Sequence, residues 1–315
     1  MSQLNLRKAV MIGCGFVGSA SAFALMQSGL FSELVLIDAN PDKAEGEALD
    51  ISHGLPFARP MDIHAGTYDD VADAAVIIIT AGAAQKPGET RLDLVKKNVA
   101  IFKSIMAEIR PRNCQGILLV VANPVDILTQ TAIRYSGLPE NRVIGSGTVL
   151  DTARLKYLLG EHLSVDSRSV HAFIIGEHGD SEIAAWSSAN VSGVPLNDFC
   201  EMRGHTHHQQ AMAQIAEDVK NSAYEIIAKK SATYYGVAMA IKRICEAIIR
   251  DEKSVLPISG MLHGEFGIDG VVLSMPAIVG KNGREAYVPI RLSEKEYAAL
   301  RQSAAALKAI ADQEI

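Results

Sequence analysis

The sequence lacks the features that mark secreted, membrane-spanning or nucleic-acid-binding proteins. Its 315 residues include only four cysteines, which lie far apart without a Cys-x-x-Cys pair, so neither a disulfide framework nor a zinc site is predicted. Lysine and arginine form no cluster and the formal net charge is -6, which argues against nucleic acid as a partner. Because the N-terminal segment resembles neither a signal peptide nor a membrane span, we expect a cytoplasmic protein without a membrane partner.

The composition is that of a folded globular protein. Hydrophobic residues make up 48% and charged residues 21% of the chain, without an internal repeat or a low-complexity segment. A length of 315 residues favours two domains. We place the boundary near Gly147, where the pattern of apolar runs changes, and predict domains over residues 1–147 and 148–315.

The first half predicts an α/β domain with a doubly wound parallel sheet. Its short apolar runs suit parallel strands that are buried on both faces, and helical stretches over 19–30 and 94–109 suit the crossovers. The second half predicts an α+β domain with a helical stretch over 211–251, broken at SATYYG, and a capped terminal helix over 293–313. The runs predicted as strands are KAVMIG, ELVLID, AAVIIIT, GILLVV and RVIGSG in the first half and SVLPIS, GVVLSMPAIVG and YVPIRL in the second.

The loop GCGFVG follows the first predicted strand and opens a helix, which is the context of a dinucleotide-binding site. Gly13 permits the tight turn, Gly15 lets the backbone approach a pyrophosphate, and Gly18 lets helix and strand pack closely. Asp38 ends the next strand 20 residues after Gly18, where its carboxylate can bind a ribose and repel the 2′-phosphate of NADP. This pair favours NAD; the alternative is a glycine-rich turn without a ligand, with Asp38 as a strand-end cap.

His178 lies between glycines in GEHGD, where it can face a cleft and exchange a proton near neutral pH. It is one of nine histidines, and a surface or hydrogen-bonded core histidine is the alternative. Asp151 and Arg154 are three residues apart and so project from one face of a helix. Asp151 can stabilise a protonated imidazole and Arg154 can grip a substrate carboxylate, although a plain intrahelical ion pair is the alternative.

Two further polar segments follow strands of the first domain. The loop over 85–91 contains glycine and proline and predicts a hinged lid, with Arg91 able to swing over a site at the carboxyl edge of the sheet. Asn123 precedes a proline at a strand end and can bond a substrate oxygen or the histidine. A solvated loop and a simple turn are the respective alternatives.

These segments together resemble the L-lactate and malate dehydrogenase family over nearly the whole chain. The motifs occur in the family's order, and so many together would rarely coincide by chance. They are GCGFVG with Asp38, QKPGETR, ANPVD, GSGTVLDTAR and GEHGDS. The resemblance implies a Rossmann domain followed by a catalytic domain, and reversible hydride transfer between NAD and a 2-hydroxy acid.

The resemblance also implies a role for each polar residue of the predicted site. His178 resembles the acid/base, and Asp151 the partner that orients its ring. Arg154 resembles the clamp on the substrate carboxylate, Arg91 the group that polarises the ketone carbonyl, and Asn123 the residue that bonds the reacting oxygen. The positions that match cofactor contacts are Gly13, Gly15, Val17, Gly18, Asp38, Lys43, Tyr68, Gly82, Ala83, Ser104, Val121, Asn123 and Ser146.

Two positions address the choice of substrate. Malate dehydrogenases of this family carry an arginine where this chain has Gln85, and a neutral amide leaves a second carboxylate without a counter-charge. Thr233 resembles the small polar residue that closes the pocket in lactate enzymes. The resemblance therefore favours pyruvate and L-lactate. Malate and branched 2-hydroxy acids are the alternatives, and the branched case would favour an apolar residue at position 85.

A candidate effector site and an oligomer follow from the same resemblance. Bacterial relatives activated by fructose 1,6-bisphosphate carry an arginine two residues after the carboxylate clamp, and a histidine matching His171, at a subunit interface. This chain has Lys156 in place of that arginine, which keeps the charge but loses the planar fork that grips phosphate, so we expect a weakened or absent response. Relatives form tetramers, or dimers in some malate branches, and the helices over 211–251 could supply contacts.

Other classes of function have less support. A non-enzymatic NAD-binding module would need the glycine loop but none of His178, Arg91 and Arg154. No His-Glu-x-x-His motif marks a metal enzyme, the histidines of RGHTHHQQ are predicted to lie in a solvated loop, and no metal is expected. Cys14, between two glycines, is predicted to be structural, with an oxidisable thiol near the cofactor as the alternative.

Overall fold

The computed structural model describes residues 4–84, 88–205 and 208–315, without the side chain of Arg91. The first half of the chain alternates strands with helices, as the periodicity predicts. In chain order these elements are β1 (Asn5–Ile12), α1 (Phe16–Ser28), β2 (Glu33–Ile37), α2 (Pro41–Ser52), β3 (Asp62–Ala65), β4 (Ala74–Ile79), α3 (Arg91–Ile109), β5 (Ile117–Val120), α4 (Val125–Ser136) and β6 (Val143–Gly145).

The second half combines longer helices with antiparallel strands. Its elements are α5 (Val149–Leu163), β7 (Val170–His171), β8 (Ile174–Ile175), β9 (Ile183–Ala184), β10 (Asn190–Val191), β11 (Val194–Pro195), α6 (Leu196–Met202), α7 (His208–Lys230), α8 (Tyr235–Ile249), β12 (Ser254–His263), β13 (Asp269–Gly280), β14 (Gly283–Tyr287) and α9 (Glu294–Glu314). Among the described residues, no helix combines the length and apolar character needed to cross a bilayer.

One continuous sheet runs through both halves in the order β14-β13-β12-β6-β5-β4-β1-β2-β3. The strands of the first half pair in parallel, with Val10 of β1 beside Val35 of β2 and Ile77 of β4. Strand β6 then meets β12 antiparallel through Gly145 and Ser259, and β13 and β14 continue in that sense. The parallel part has the order of the Rossmann fold, in which ligands bind at the carboxyl edge where the strand order reverses, between β1 and β4.

The core alternates along each central strand. Val10 and Ile12 of β1 pack in one layer with α3, α4 and α9, whereas Ala9 and Met11 pack in the opposite layer with α1, α2 and α8. A third cluster joins α5, α6 and α7 over the small sheet formed by β7, β10 and β11. Because both faces of the sheet are covered, its polar chemistry is left to the strand ends.

The predicted fold class is confirmed, with differences in detail. Strands β3, β9, β10 and β11 were not predicted; β3 is a short edge strand of which only Ile63 is buried, and the other three have two residues each. YVPIRL was predicted as a strand, but only Tyr287 of this run belongs to β14, which begins earlier at Gly283. Pro289 has no N–H to donate to a ladder, which explains why pairing stops before it. The predicted helix break at SATYYG and the capped start of α9 at Ser293 are both confirmed.

Candidate active site

The glycine loop lies between the carboxyl end of β1 and the start of α1. Gly13 has a φ of +102°, and a Cβ there would come within 2.5 Å of the Ala81 backbone nitrogen. A Cβ on Gly18 would lie 1.9 Å from the carbonyl oxygen of Gly13, so helix and strand can approach only because this residue is glycine. Gly15, the N-cap of α1, faces open space and offers no side-chain cap to the first amides of the helix. The loop therefore fits a pyrophosphate.

Asp38 lies at the end of β2, next to this loop. Its Oδ2 accepts a 2.7 Å hydrogen bond from the Cys14 backbone N–H, and its Oδ1 accepts one of 3.0 Å from Asn40. The carboxylate is therefore fixed beside the glycine loop, with lone pairs to spare for a ribose. Cys14 itself is buried, and burial raises the pKa of its thiol to about 12, which supports the structural interpretation over the reactive one.

Most of the other predicted cofactor positions lie at or near the same edge of the sheet. Val17 is in the first turn of α1, Gly82 and Ala83 follow β4, and Val121 and Ser146 follow β5 and β6. Lys43 is exposed on α2. Tyr68 and Ser104 are the two remaining predicted cofactor positions, and their described contacts lie elsewhere. The Tyr68 ring is near Arg112, and Ser104 Oγ donates to the Ile101 carbonyl oxygen within α3.

The structure brings His178, Asp151 and Arg154 together. The Nδ1 atom of His178 lies 2.6 Å from Oδ2 of Asp151, and Arg154 donates a 2.7 Å bond from Nη1 to Oδ1 of the same carboxylate. Helix α5 holds this geometry because Thr152 Oγ1 accepts the N–H of Ile174, in the strand that leads to His178. The carboxylate of Asp151 thus makes both contacts: the predicted one with His178 and the intrahelical ion pair with Arg154 that was its alternative.

Charge in this cluster favours a protonated histidine. Burial by itself lowers the pKa of His178, but the charge and hydrogen bond of Asp151, with help from Asp126 and Glu182, raise it to about 9. Burial likewise acts to raise the pKa of Asp151, but His178 and Arg154 hold that pKa below its usual value. The Asp151 side chain is 3% exposed and the His178 side chain 25%, so the ring faces an opening while its partner is buried.

The remaining predicted substrate residues are only partly described. Asn123 is exposed at the end of β5, and its carbonyl oxygen accepts a 2.7 Å bond from the Asn98 amide. Thr233 lies between α7 and α8 and is partly exposed. Gln85 and the side chain of Arg91 lie outside the described residues; the backbone of Arg91 starts α3, behind the capping box of Thr90 and Asp93.

The two residues of the candidate effector site lie on neighbouring elements. Lys156 is half-buried on α5, and burial lowers the pKa of its ammonium. His171 is exposed in β7, where it pairs with Asn190 of β10.

The sequence interpretation missed two acidic residues near His178. Asp126, inside the quoted motif ANPVD, accepts the backbone N–H of His178 on Oδ2 at 2.8 Å. One carboxylate oxygen of Glu182, one ring nitrogen of His178 and one carboxylate oxygen of Asp151 all lie within 4.8 Å of one another. Burial, and then the charge of Asp151, raise the pKa of Glu182. Membership of ANPVD was the only signal that could have pointed to Asp126.

A dinucleotide-binding sheet together with a histidine that Asp151 holds in its charged form is the arrangement expected of a nicotinamide-dependent oxidoreductase. The chain belongs to the lactate/malate dehydrogenase family. Residues 7–145 match the model of that family's NAD binding domain, and residues 148–315 match its alpha/beta C-terminal domain. NAD is accordingly the cofactor, and the open space at Gly15 and the carboxylate of Asp38 fit it.

Curated relatives and solved structures agree with this assignment. An L-lactate dehydrogenase of Acetivibrio thermocellus is 54% identical over 305 residues, which cover 97% of this chain and 96% of the relative. One of Thermoanaerobacter pseudethanolicus is 52% identical over 97% of this chain and 98% of the relative. The crystal structure of the minor L-lactate dehydrogenase from Enterococcus mundtii in its ligands-bound form superposes with a TM-score of 0.95, at 45% identity and 98% coverage of both chains.

Proposed function

We propose that this protein catalyses the reversible, NAD-dependent interconversion of pyruvate and L-lactate, the activity for which these relatives are named. The observation that carries the proposal is the 2.6 Å contact between His178 Nδ1 and Asp151, with Arg154 on the same carboxylate. It places a proton donor beside a group that can hold a carboxylate, which a 2-oxo acid requires.

Each residue of the site has a separate role in the proposed reaction, which follows from its charge and its contacts. In pyruvate reduction the protonated His178 donates from Nε2 to the ketone oxygen, because its Nδ1 is occupied by Asp151. Arg154 uses Nη1 for Asp151 and keeps its other N–H groups for the substrate carboxylate. Asn123 bonds the reacting oxygen and Arg91 polarises it from the start of α3. When bound, NADH supplies the hydride.

Pyruvate is favoured over larger acids by Gln85 and Thr233. Oxaloacetate would bring a second carboxylate to a neutral amide, which leaves a charge without a partner. Branched 2-oxo acids need an enlarged, apolar pocket wall, which Gln85 does not supply. Malate or branched 2-hydroxy acid dehydrogenation is therefore the second candidate function.

The direct test is NADH consumption, followed spectrophotometrically, with pyruvate, oxaloacetate and 2-oxoisocaproate in parallel. We expect the highest kcat/KM with pyruvate. Turnover of oxaloacetate or 2-oxoisocaproate at least as efficient as that of pyruvate would overturn the substrate assignment. His178→Ala is the matched variant: it should lower kcat by about 10²–10⁴-fold and leave NADH affinity nearly unchanged.

The domain division proposed is residues 1–147 for NAD binding and 148–315 for catalysis, which the limits of the two family matches support. We further propose a cytoplasmic homotetramer. Its buried free cysteines Cys14, Cys114, Cys200 and Cys245 suit a reducing compartment. Sedimentation equilibrium at assay concentration tests the subunit number, and a monomeric mass would contradict it.

Fructose 1,6-bisphosphate is proposed to act weakly or not at all. Lys156 is half-buried and its ammonium is a point charge, so it cannot grip a phosphate from two sides as an arginine does. Pyruvate saturation curves with and without the bisphosphate test this; a large fall in the pyruvate KM on addition would overturn it.

A further inference from the structure

A buried carboxylate lies beneath the catalytic histidine. Asp126 is the second residue of α4 and is 2% exposed. It faces three other segments: β12, β13 and the stretch over 176–182 that carries His178, here called the catalytic segment. The reaction steps proposed above do not involve Asp126, although a buried charge destabilises the fold unless it is paired or fully hydrogen-bonded.

Each oxygen of Asp126 has a distinct set of donors. Oδ2 accepts the backbone N–H of His178 at 2.8 Å. Oδ1 accepts the hydroxyl of Ser259 at 2.6 Å and that of Ser274 at 3.4 Å, and these two hydroxyls lie 3.1 Å apart. Both serines are fully buried, one on β12 and one on β13.

The catalytic segment is also bonded directly to β13, the strand that carries Ser274. Gly176 and Ser274 exchange backbone hydrogen bonds of 2.9 Å in both directions. The backbone of His178 is thus bonded to α4 and that of Gly176 to β13, while the His178 ring is bonded to Asp151 of α5.

We propose that Asp126 is a positioning residue of the reaction: its carboxylate fixes the His178 backbone so that the ring meets Asp151, and its negative charge stabilises the imidazolium from a second side. Its role in the reaction rests on the proposed function, whereas its effect on the charge of His178 does not. Asp151 and Asp126 then act on the ring and the backbone of one histidine, from two different helices.

The charges around the pair agree with this role. Burial raises the pKa of Asp126 to about 6, and the donors Ser259 and His178 act in the opposite direction, so the carboxyl is ionised at pH 7. The negative charge of Glu177, on the catalytic segment, also raises the pKa of Asp126. His178 in turn faces Asp151 from α5, Asp126 from α4 and Glu182 from its own segment.

The test separates charge from position with Asp126→Asn. The amide oxygen can still accept the His178 N–H, but the negative charge is gone. We expect the alkaline limb of kcat/KM for pyruvate reduction to move down by about one pH unit, with NADH affinity within about twofold of the parent. Asp312→Asn, an exposed carboxylate on α9, is the matched control and should leave the limb in place.

A second readout needs no turnover. Diethyl pyrocarbonate modifies only the unprotonated imidazole, so a fall of one unit in the His178 pKa should make carbethoxylation at pH 7 about tenfold faster. The rate is measured on the His178 peptide by mass spectrometry. If Asp126→Asn does not fold, Ser259→Ala removes one donor, raises the pKa of Asp126 and should shift both readouts in the same direction by less.

The outcomes are distinct. A pH limb and a carbethoxylation rate in Asp126→Asn that both match the parent would overturn the role of Asp126. Faster carbethoxylation of His178 in Asp126→Asn, together with a parent protein that reduces none of the 2-oxo acids, would support the electrostatic coupling and overturn the proposed function instead.

Discussion

The two carboxylate oxygens of Asp151 contact two different residues, His178 and Arg154. Its Oδ2 contacts His178 Nδ1 and its Oδ1 accepts from Arg154. The guanidinium has five N–H donors, so this bond still leaves enough of them for a bidentate contact with a substrate carboxylate. Under the proposed function, the negative charge of Asp151 therefore supports the imidazolium and also orients Arg154 for the substrate carboxylate.

We propose that Asp38 sets the preference for NADH over NADPH. Asp38→Asn keeps an oxygen for the Cys14 N–H but removes the charge. We expect the NADH dissociation constant to rise about 10- to 100-fold, because hydrogen bonds to charged groups contribute about 1.5–3 kcal/mol, and NADPH to bind better than before. Fluorescence titration with both cofactors measures this. Asp42 is exposed in the first turn of α2, and Asp42→Asn should change neither dissociation constant. If Asp38→Asn left the ratio of the NADH and NADPH dissociation constants unchanged, that would count against the assignment.

The grouping of polar residues was predictable where each of them lies in a short, recognisable motif. His178, Asp151 and Arg154 could be named together because their side chains suit proton transfer and carboxylate binding and because their motifs resemble those of one family. Asp126 and Glu182 could not be assigned, because their roles depend on how separate elements meet. Which polar groups face one another across 52 residues is a property of tertiary packing.

At the scale of elements, β1 carries a charged residue into the sheet. Lys8 is 7% exposed and lies 3.2 Å from Glu33, 3.2 Å from Asp70 and 2.9 Å from Asp73. The three carboxylates raise the pKa of Lys8 against the effect of burial, so the ammonium stays charged. This group joins the start of β1 to β2 and to the turn before β4.

Lys8→Ala leaves three carboxylates facing one another without a counter-charge. Since those partners keep a quarter to a third of their surface exposed, we expect a loss of about 2–4 kcal/mol, less than a fully buried pair would give. Denaturant unfolding followed by circular dichroism measures it. Lys229→Ala removes an exposed pair with Glu225 and should cost under about 0.5 kcal/mol; equal losses in the two variants would refute this account of β1.

Element boundaries followed from sequence where caps and apolar period coincide. Ser293 with Glu296 marked the start of α9, and the break at SATYYG separated α7 from α8. The edges of the sheet were less predictable. Strand β3 is four residues long and half-exposed, and β14 is polar, so neither shows a continuous apolar run.

At the scale of the whole molecule, the two proposed domains share one sheet. Strand β12 of the second half pairs with β6 of the first through Ser259 and Gly145. Helix α8 packs in the same core layer as α1 and α2. This continuity was not predictable, because the pairing joins segments 114 residues apart and leaves no local pattern in the sequence.

A shared sheet predicts cooperative unfolding of the described regions. Trp186 is the single tryptophan and lies in the second half, whereas far-ultraviolet circular dichroism reports on both halves. We expect the two signals to give the same transition midpoint, and NADH at 100 times its dissociation constant to stabilise both by about 2.7 kcal/mol. A tryptophan transition that stays in place while the dichroism transition moves would indicate independent domains.

The central claim is that Asp151 keeps His178 protonated for proton donation. Pyruvate reduction needs the imidazolium and lactate oxidation needs the neutral ring, so the raised pKa of about 9 means that reduction persists below that pH and is lost above it, while oxidation rises there. The most direct measurement is the pH dependence of kcat/KM in both directions for the parent protein and Asp151→Asn. The account predicts that both limbs move down by about two units in the variant, with NADH affinity unchanged. Limbs that stay where the parent has them would contradict it.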